Sequence, residues 1–246
     1  MKKLWIVTEL FYPEETSTAF ILTKIANALS DKFDVNVICG PESYCRAALE
    51  DNPSTKLSLD GRIKIHRVSN CNLNKDKIFT RLLRFLIIGF KLSFSLWKNA
   101  KKQDRVFIVT NPAPLLISVA LIKRIKKFPL YILVHDVFPE NTIPAGVISS
   151  DKTFGYKLLR KCFNWAYKSA DCLIVLGRDM RQIMKSKLEK NQNNTKIEII
   201  ENWAENDITQ LNPVNKSKNI VIQYAGNIGR VQGLKSFIQQ YAEAMN

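Results

Sequence analysis

Two stretches of this 246-residue sequence carry residue types whose spacing suits chemistry. His135-Asp136 follows the apolar run Leu130–Val134 and opens the segment Val137-Phe138-Pro139-Glu140-Asn141. An imidazole at the carboxyl end of a buried strand can hydrogen-bond a sugar hydroxyl or carry a proton near neutral pH. Asp136 beside it can orient the ring or contact a second substrate. Further on, Gly226-Asn227-Ile228-Gly229-Arg230-Val231-Gln232-Gly233 spaces its glycines as G-x-x-G-x-x-x-G between an apolar run and a helical pattern. The backbone N–H groups of such a turn, with the helix dipole behind them, can cradle a diphosphate, and Arg230 supplies a charged clamp. Each stretch also admits a plainer reading, a structural histidine in one case and an ordinary tight turn in the other. His66, in the middle of an alternating run, reads as structural.

These groups need a scaffold, and the pattern predicts one. Short apolar strands alternate with helices: strands over Leu4–Thr8, Asp34–Cys39, Ile63–Val68, Val106–Val109, Leu130–Val134, Cys172–Leu176 and Ile197–Ile200. Helices are expected over Ser17–Lys32, Lys77–Lys101, Leu115–Lys126, Phe154–Ser169 and Arg178–Lys190. That alternation argues for an α/β fold, a Rossmann-like parallel sheet with helices on both faces. Such sheets bind ligands beyond the carboxyl ends of their strands, which directs attention to the loops after Thr8, Asn111, Val134, Leu176 and Ile200. In the first of these, Thr16, Ser17 and Thr18 can cap the next helix, whose N-terminus either holds an anionic group or is simply capped. Residues 206–218 are polar and aperiodic and read as a linker. A strand over Asn219–Ala225, the glycine turn and a helix from Leu234 then start a fresh unit. The expected organisation is one domain over 1–205, the linker, and the first βα unit of an incomplete second domain over 219–246.

Charge narrows the partners. The 37 Lys and Arg residues outnumber Asp and Glu by 15, so the protein should be drawn to something anionic. The stretch from Leu82 to Trp97 is apolar but broken by Arg84 and Lys91, so it is too polar to span a bilayer. Arg84, Lys91 and Lys98 are seven residues apart and share one helical stripe beside Phe85, Phe90, Phe94 and Trp97. A basic stripe flanked by aromatics suits a helix lying on an anionic leaflet, and a core-packed helix with a solvated basic edge is the alternative. Lys152, Lys157, Arg160, Lys161, Lys168, Arg178, Arg181, Lys185, Lys187 and Lys190 form a second basic region, opposed only by Asp151, Asp171, Asp179 and Glu189. No nucleic-acid-binding module accompanies it, which argues against RNA or DNA as partner. Five scattered cysteines without a C-x-x-C pair, and only two histidines, argue against a zinc site and fit buried thiols in a reducing cytosol. The apolar run Leu4–Val7, ended by Glu9, is too short for a signal peptide. Walker A, G-x-S-x-G, H-E-x-x-H and D-x-D sequences are all missing, which counts against phosphate-loop hydrolases, serine hydrolases, zincins and metal-dependent nucleotide-sugar enzymes.

Five stretches in order carry a family resemblance: Leu4-Trp5-Ile6-Val7-Thr8-Glu9-Leu10-Phe11-Tyr12-Pro13-Glu14, Val134–Asn141, Ala170–Leu176, Ile199-Ile200-Glu201-Asn202-Trp203 and Tyr224–Gly233. Together they span nearly the whole chain, which resembles the N-terminal part of glycosyltransferase family 4. The resemblance implies a retaining enzyme of two Rossmann-like domains (GT-B), in which the first domain binds the acceptor and the second the nucleotide-sugar. It is closest in flavour to the enzymes that build bacterial O-antigen, colanic acid and capsule on a lipid carrier. His135 would be the catalytic histidine at the cleft, and Glu9, Tyr12, Thr16, Ser17, Asp136 and Glu140 would line the acceptor side. Gly226, Asn227, Gly229, Arg230, Gln232 and Gly233 would start the donor diphosphate site, and Arg84, Lys91 and Lys98 would face the membrane. The implied partners are a nucleotide-sugar, a lipid-linked acceptor of the undecaprenyl-diphosphate type and anionic inner-leaflet lipids. The implied location is cytoplasmic, at the inner face of the cell membrane, with no metal and no cofactor beyond the donor substrate.

The sequence departs from the family pattern in places. Where members often carry a Gly-Gly pair, Glu15-Thr16-Ser17-Thr18 stands, and Gln232 replaces a basic residue before the last glycine. The paired acidic residues that grip the donor in the second domain have no counterpart, so little or no transfer is expected from these 246 residues alone. A non-catalytic acceptor- or membrane-binding module, working with a separate chain that supplies the donor half, is the competing reading.

Overall fold

Seven short strands, each apolar along most of its length, form one parallel sheet in the computed structural model, which describes residues 1–14, 16–42, 57–69, 78–188, 194–203, 222–226 and 232–244. They are β1 Lys3–Val7, β2 Asp34–Cys39, β3 Lys64–Arg67, β4 Arg105–Val109, β5 Leu130–Val134, β6 Cys172–Val175 and β7 Lys196–Ile199. Their spatial order is β3-β2-β1-β4-β5-β6-β7, with every neighbouring pair parallel. The helices are α1 Ser17–Leu29, α2 Ile78–Asn99, α3 Pro114–Lys126, α4 Phe154–Lys168, α5 Arg178–Leu188 and α6 Leu234–Ala244.

The period-two alternation of a strand sorts the core into two layers. Leu4 and Ile6 of β1 face Leu22 and Ala26 of α1. Trp5 and Val7 face the other way, toward Leu92 and Leu96 of α2, Val119 of α3, Phe163 of α4 and Met184 of α5. Right-handed crossovers account for this division. The step from β1 to β2 moves left and puts α1 on one face. The steps to β4, β5, β6 and β7 move right and put α2 to α5 on the other. Among the described helices of the domain only α1 packs on the first face, and Phe107, Tyr131, Leu133 and Ile174 line an apolar groove of about 510 Å³ with Ile25 and Trp203.

Local chemistry ends the elements where a partner is available. Thr16 caps α1 by accepting the Ala19 N–H at 3.2 Å, and Thr153 caps α4 by accepting from Tyr156. α1 stops at Leu29, short of the expected Lys32, because the Ser30 hydroxyl and N–H both turn back to the Asn27 carbonyl. Lys127 closes α3 in the left-handed conformation at φ 59°. Below the sheet, Asp104 Oδ2 accepts from both Trp5 Nε1 at 3.0 Å and the Lys101 N–H at 2.9 Å.

Of the strand expected over Asn219–Ala225, residues 222–225 are exposed and lie in no strand, and residues 219–221 lie outside the described residues. A parallel strand needs a neighbouring ladder for its N–H and C=O groups, and no described residue offers one. The helix expected from Leu234 is present as α6, with Phe237, Ile238 and Tyr241 exposed. The linker at 206–218 lies outside the described residues.

Replacing Asp104 by alanine strands the buried Trp5 indole N–H. Urea denaturation of Asp104→Ala is expected to show a loss of about 1–3 kcal/mol; a loss below a few tenths would mean that water replaces the carboxylate at no cost.

Candidate functional site

The strand order reverses direction at β1, which has β2 on one side and β4 on the other. Loops leaving β1 and β4 therefore part at their carboxyl ends, and a crevice opens there. Three loops border it: residues 8–16 after β1, 110–113 after β4 and 135–143 after β5.

The first loop is held down by polar contacts to three other elements. Glu9 is buried, and its Oε1 accepts from Arg84 Nη2 of α2 at 2.8 Å. The Glu9 carbonyl accepts the Gly40 N–H at 2.9 Å. A Cβ on Gly40 would stand 2.6 Å from that carbonyl oxygen, so glycine is required where β2 ends. The Tyr12 carbonyl accepts from Arg67 Nη2, at the end of β3, at 2.5 Å. Nearby, burial pushes the Cys39 thiol up to about 11, so it is inert at neutral pH.

Thr110, fully buried at the end of β4, sets the second wall. Its hydroxyl accepts the His135 N–H at 3.1 Å and the Asp136 N–H at 2.9 Å. Asp136 Oδ1 accepts from Asn141 Nδ2 at 2.8 Å, and the Phe138 N–H donates to the buried Tyr167 hydroxyl at 3.2 Å. The 3-10 turn Glu140–Thr142 ends the loop. Within this frame His135 Nε2 is buried and meets no hydrogen-bond partner among the described residues. A buried polar atom left open in an otherwise satisfied loop points to a ligand group or water as its partner. Burial holds the imidazole pKa below its usual 6.5, with the Asp136 charge opposing, so the ring is neutral at pH 7 and can accept or donate a hydrogen bond.

The residues expected on the acceptor side are brought to this edge, but most of their side chains are already engaged. Glu9 is tied to Arg84, Asp136 to Asn141 and the Thr16 hydroxyl to the α1 cap. Glu140 accepts through both oxygens from Lys187 of α5, each at 2.7 Å. Glu140 is thus paired internally, while 34% of its side chain stays exposed. Tyr12 is half-buried, and Ser17 is exposed at the start of α1. The basic stripe on α2 has intramolecular contacts as well. Arg84 turns inward to Glu9, Lys91 Nζ donates to the Ser69 carbonyl and hydroxyl at 3.0 Å each, and Lys98 sits 4.8 Å over the Phe94 ring. The outward face of that helix is aromatic instead: Phe90 is 68% exposed and stacks on Phe94.

Of the glycine turn, Asn227, Gly229 and Arg230 lie outside the described residues. Gly226 at φ +149° and Gly233 at φ +64° take backbone conformations that favour glycine. Gln232 is exposed, and the Gly233 carbonyl accepts the Phe237 N–H in the first turn of α6. Among the described residues, no three His, Cys, Asp or Glu converge as metal ligands.

Sequence reading missed Thr110, Asn141, Tyr167 and Lys187. Thr110 and Asn141 were findable, being the polar residues that follow β4 and the His-Asp pair. Nothing local marks Tyr167 and Lys187, which lie on later helices.

Against this geometry, the Glycosyltransferase Family 4 model matches residues 21–206. The probable glycosyltransferase WbjE of Pseudomonas aeruginosa is 33% identical over 249 residues, covering 97% of this chain. The chain spans 59% of that relative's length. Among solved structures, the N-terminal domain of Candida albicans trehalose-6-phosphate phosphatase is alike in fold, with TM-score 0.52 and 11% identity over 81% of this chain and 48% of that one. Phytolacca americana UGT2, solved with UDP-2fluoro-glucose and pterostilbene, matches with TM-score 0.49 and 13% identity over 84% of this chain and 55% of that one.

Two measurements check the site. In Gly40→Ala the new methyl must push the Glu9 carbonyl aside, at a cost of about 1–3 kcal/mol read by thermal or urea unfolding. The His135 ring is expected to titrate below 6.5 by NMR. The unfolded state then binds more protons than the native state between the depressed midpoint and 6.5. Stability is therefore complete above 6.5 and falls as pH drops through that window, with a slope that His135→Gln reduces, the remainder coming from His66, whose burial lowers its pKa too. A His135 midpoint at or above 6.5 would contradict the buried, neutral ring.

Proposed function

Because the chain belongs to glycosyltransferase family 4, we propose that it carries the acceptor side of a sugar-transfer site in bacterial surface-polysaccharide synthesis. The single observation that carries this reading is His135: a neutral imidazole, at the crevice where the strand order reverses, with its buried Nε2 open. A sugar hydroxyl is the right size and polarity to satisfy that atom. The sugar comes from a nucleotide-sugar and moves with retention at the anomeric carbon. The reaction needs no metal, because the donor diphosphate is met by backbone N–H groups of the 226–233 turn, and Arg230 neutralises its charge.

The acceptor in this reading is a sugar on a lipid diphosphate, which places the protein at the inner face of the cell membrane. The surface of α2 and α3 supports that placement. Leu86, Phe90, Phe94 and Trp97 on α2 and Leu121 and Ile125 on α3 are exposed. From residue 78 to residue 134 the only acidic residue is Asp104, and it is buried. An exposed aromatic face with basic flanks and no surface carboxylate suits an anionic leaflet. No described helix is long and apolar enough to cross a membrane.

The reading is tested by incubating the protein, and its longer relative, with nucleotide-sugars and a short-chain polyprenyl-diphosphate sugar. A glycosylated lipid with retained configuration is expected from the longer protein, reduced about 10²–10⁴-fold by alanine at the position matching His135. In the chain itself, the His135 ring resonance should move when the lipid-diphosphate sugar is added. No movement, together with undiminished transfer in the alanine variant, would sink the assignment.

Membrane placement has its own check. Co-sedimentation with vesicles containing anionic lipid is expected, weakening as salt rises and falling when Phe90 and Phe94 are both replaced by serine. Equal binding to neutral vesicles would count against the basic flanks.

A further inference from the structure

Lys187 sits among the basic residues of 152–190, yet only 2% of its side chain is exposed. Its ammonium group is spent on two segments at once. It donates to both oxygens of Glu140 at 2.7 Å and to the Phe138 carbonyl at 3.2 Å, both in the loop after β5. It also donates to Asn164 Oδ1 of α4 at 3.1 Å, and it lies 5.8 Å from the Tyr167 ring centre. Tyr167 in turn accepts the Phe138 N–H. One buried cation on α5 thus grips the far end of the loop whose near end is His135.

Stability alone does not explain a lysine there. Burial lowers its pKa, with Glu140 opposing, so the charge is held at a desolvation cost. The Tyr167 ring lies beside it, and a methionine of similar length would pack against that ring as well. What an apolar side chain cannot supply is direction: several acceptors on two segments, all set by one donor group. The loop is otherwise pinned at its start, where Thr110 accepts the His135 and Asp136 N–H groups. Between those two pins the chain has no freedom to move the imidazole.

We propose that Lys187 is a positioning residue: through Glu140 and the Phe138 carbonyl it locks residues 135–141 and so holds His135 Nε2 open toward the crevice. The role for the sugar-transfer site rests on the reading of His135 given above, but the positioning itself does not.

The two histidines of the chain make the test direct, because His66 is an internal control in every spectrum. His66 lies at the far side of the sheet on β3, with its Nε2 3.2 Å from Asn36 Oδ1. The charged group acting on His135 is Asp136; Lys187 is paired with Glu140, with Arg160 acting from α4. In Lys187→Met, the His135 ring resonance is expected to shift and its titration midpoint to rise toward 6.5 as water reaches the loosened loop. The His66 midpoint should stay put, and Lys187→Arg should restore part of the wild-type position. If Lys187→Met does not fold, both histidines collapse onto one unfolded position. Glu140→Ala then reads the same clamp from its other end, since the Glu140 side chain is already 34% exposed. A folded variant whose His135 position and midpoint match the wild type overturns the proposal. A shifted His135 with no effect of His135 replacement on transfer would instead leave the positioning intact and remove the transfer role.

Discussion

All seven strands run the same way, so all seven end at one edge, where the sheet ladder stops and backbone groups must find other partners. That constraint organises the rest of the structure. A buried N–H or C=O without a partner is costly. The Thr110 hydroxyl takes two N–H groups of the loop after β5, Gly40 donates to the Glu9 carbonyl, Arg67 donates to the Tyr12 carbonyl, and Tyr167 takes the Phe138 N–H. Each contact ties a loop of the crevice to an element distant in sequence. The crevice is rigid because the edge has to be satisfied, and His135 Nε2 is conspicuous because so much around it is.

The same bookkeeping explains where the charge goes. Two carboxylates near the crevice are matched by cations inside the protein, Glu9 by Arg84 and Glu140 by Lys187. Lys and Arg still exceed Asp and Glu by 15, so the protein as a whole stays strongly positive. Two cations that look superficial by sequence spacing, Arg84 and Lys187, turn out to be internal. The aromatic side chains of α2 take the outward positions instead, because its inward face is filled by Ile88, Leu92 and Leu96.

Legibility in the sequence followed the range of the interactions. Strand and helix positions agree with the pattern to within a few residues, because period-two and helical spacing are local and each element buries one face. The end of α1 differs by three residues, since Ser30 closes it with a bond that hydrophobic periodicity does not register. His135 was visible because a polar pair directly after an apolar strand marks a carboxyl edge. Its supports were not: Tyr167 and Lys187 lie 32 and 52 residues further on, in helices whose local pattern says only that they are amphipathic. Residues 222–225, the described part of the strand expected over Asn219–Ala225, have a fitting composition, but a strand exists only beside another, and composition cannot provide the neighbour.

By itself, then, the sequence determined the alternation of strands and helices, the parallel α/β class, the family and the position of the histidine. Those follow from side-chain periodicity and from short runs of residues. Tertiary structure decided which charges are buried, which carboxylates remain available and which nitrogen of the histidine stays open. These depend on what lies across the fold, since desolvation and pairing are properties of the three-dimensional surroundings and not of the residue type.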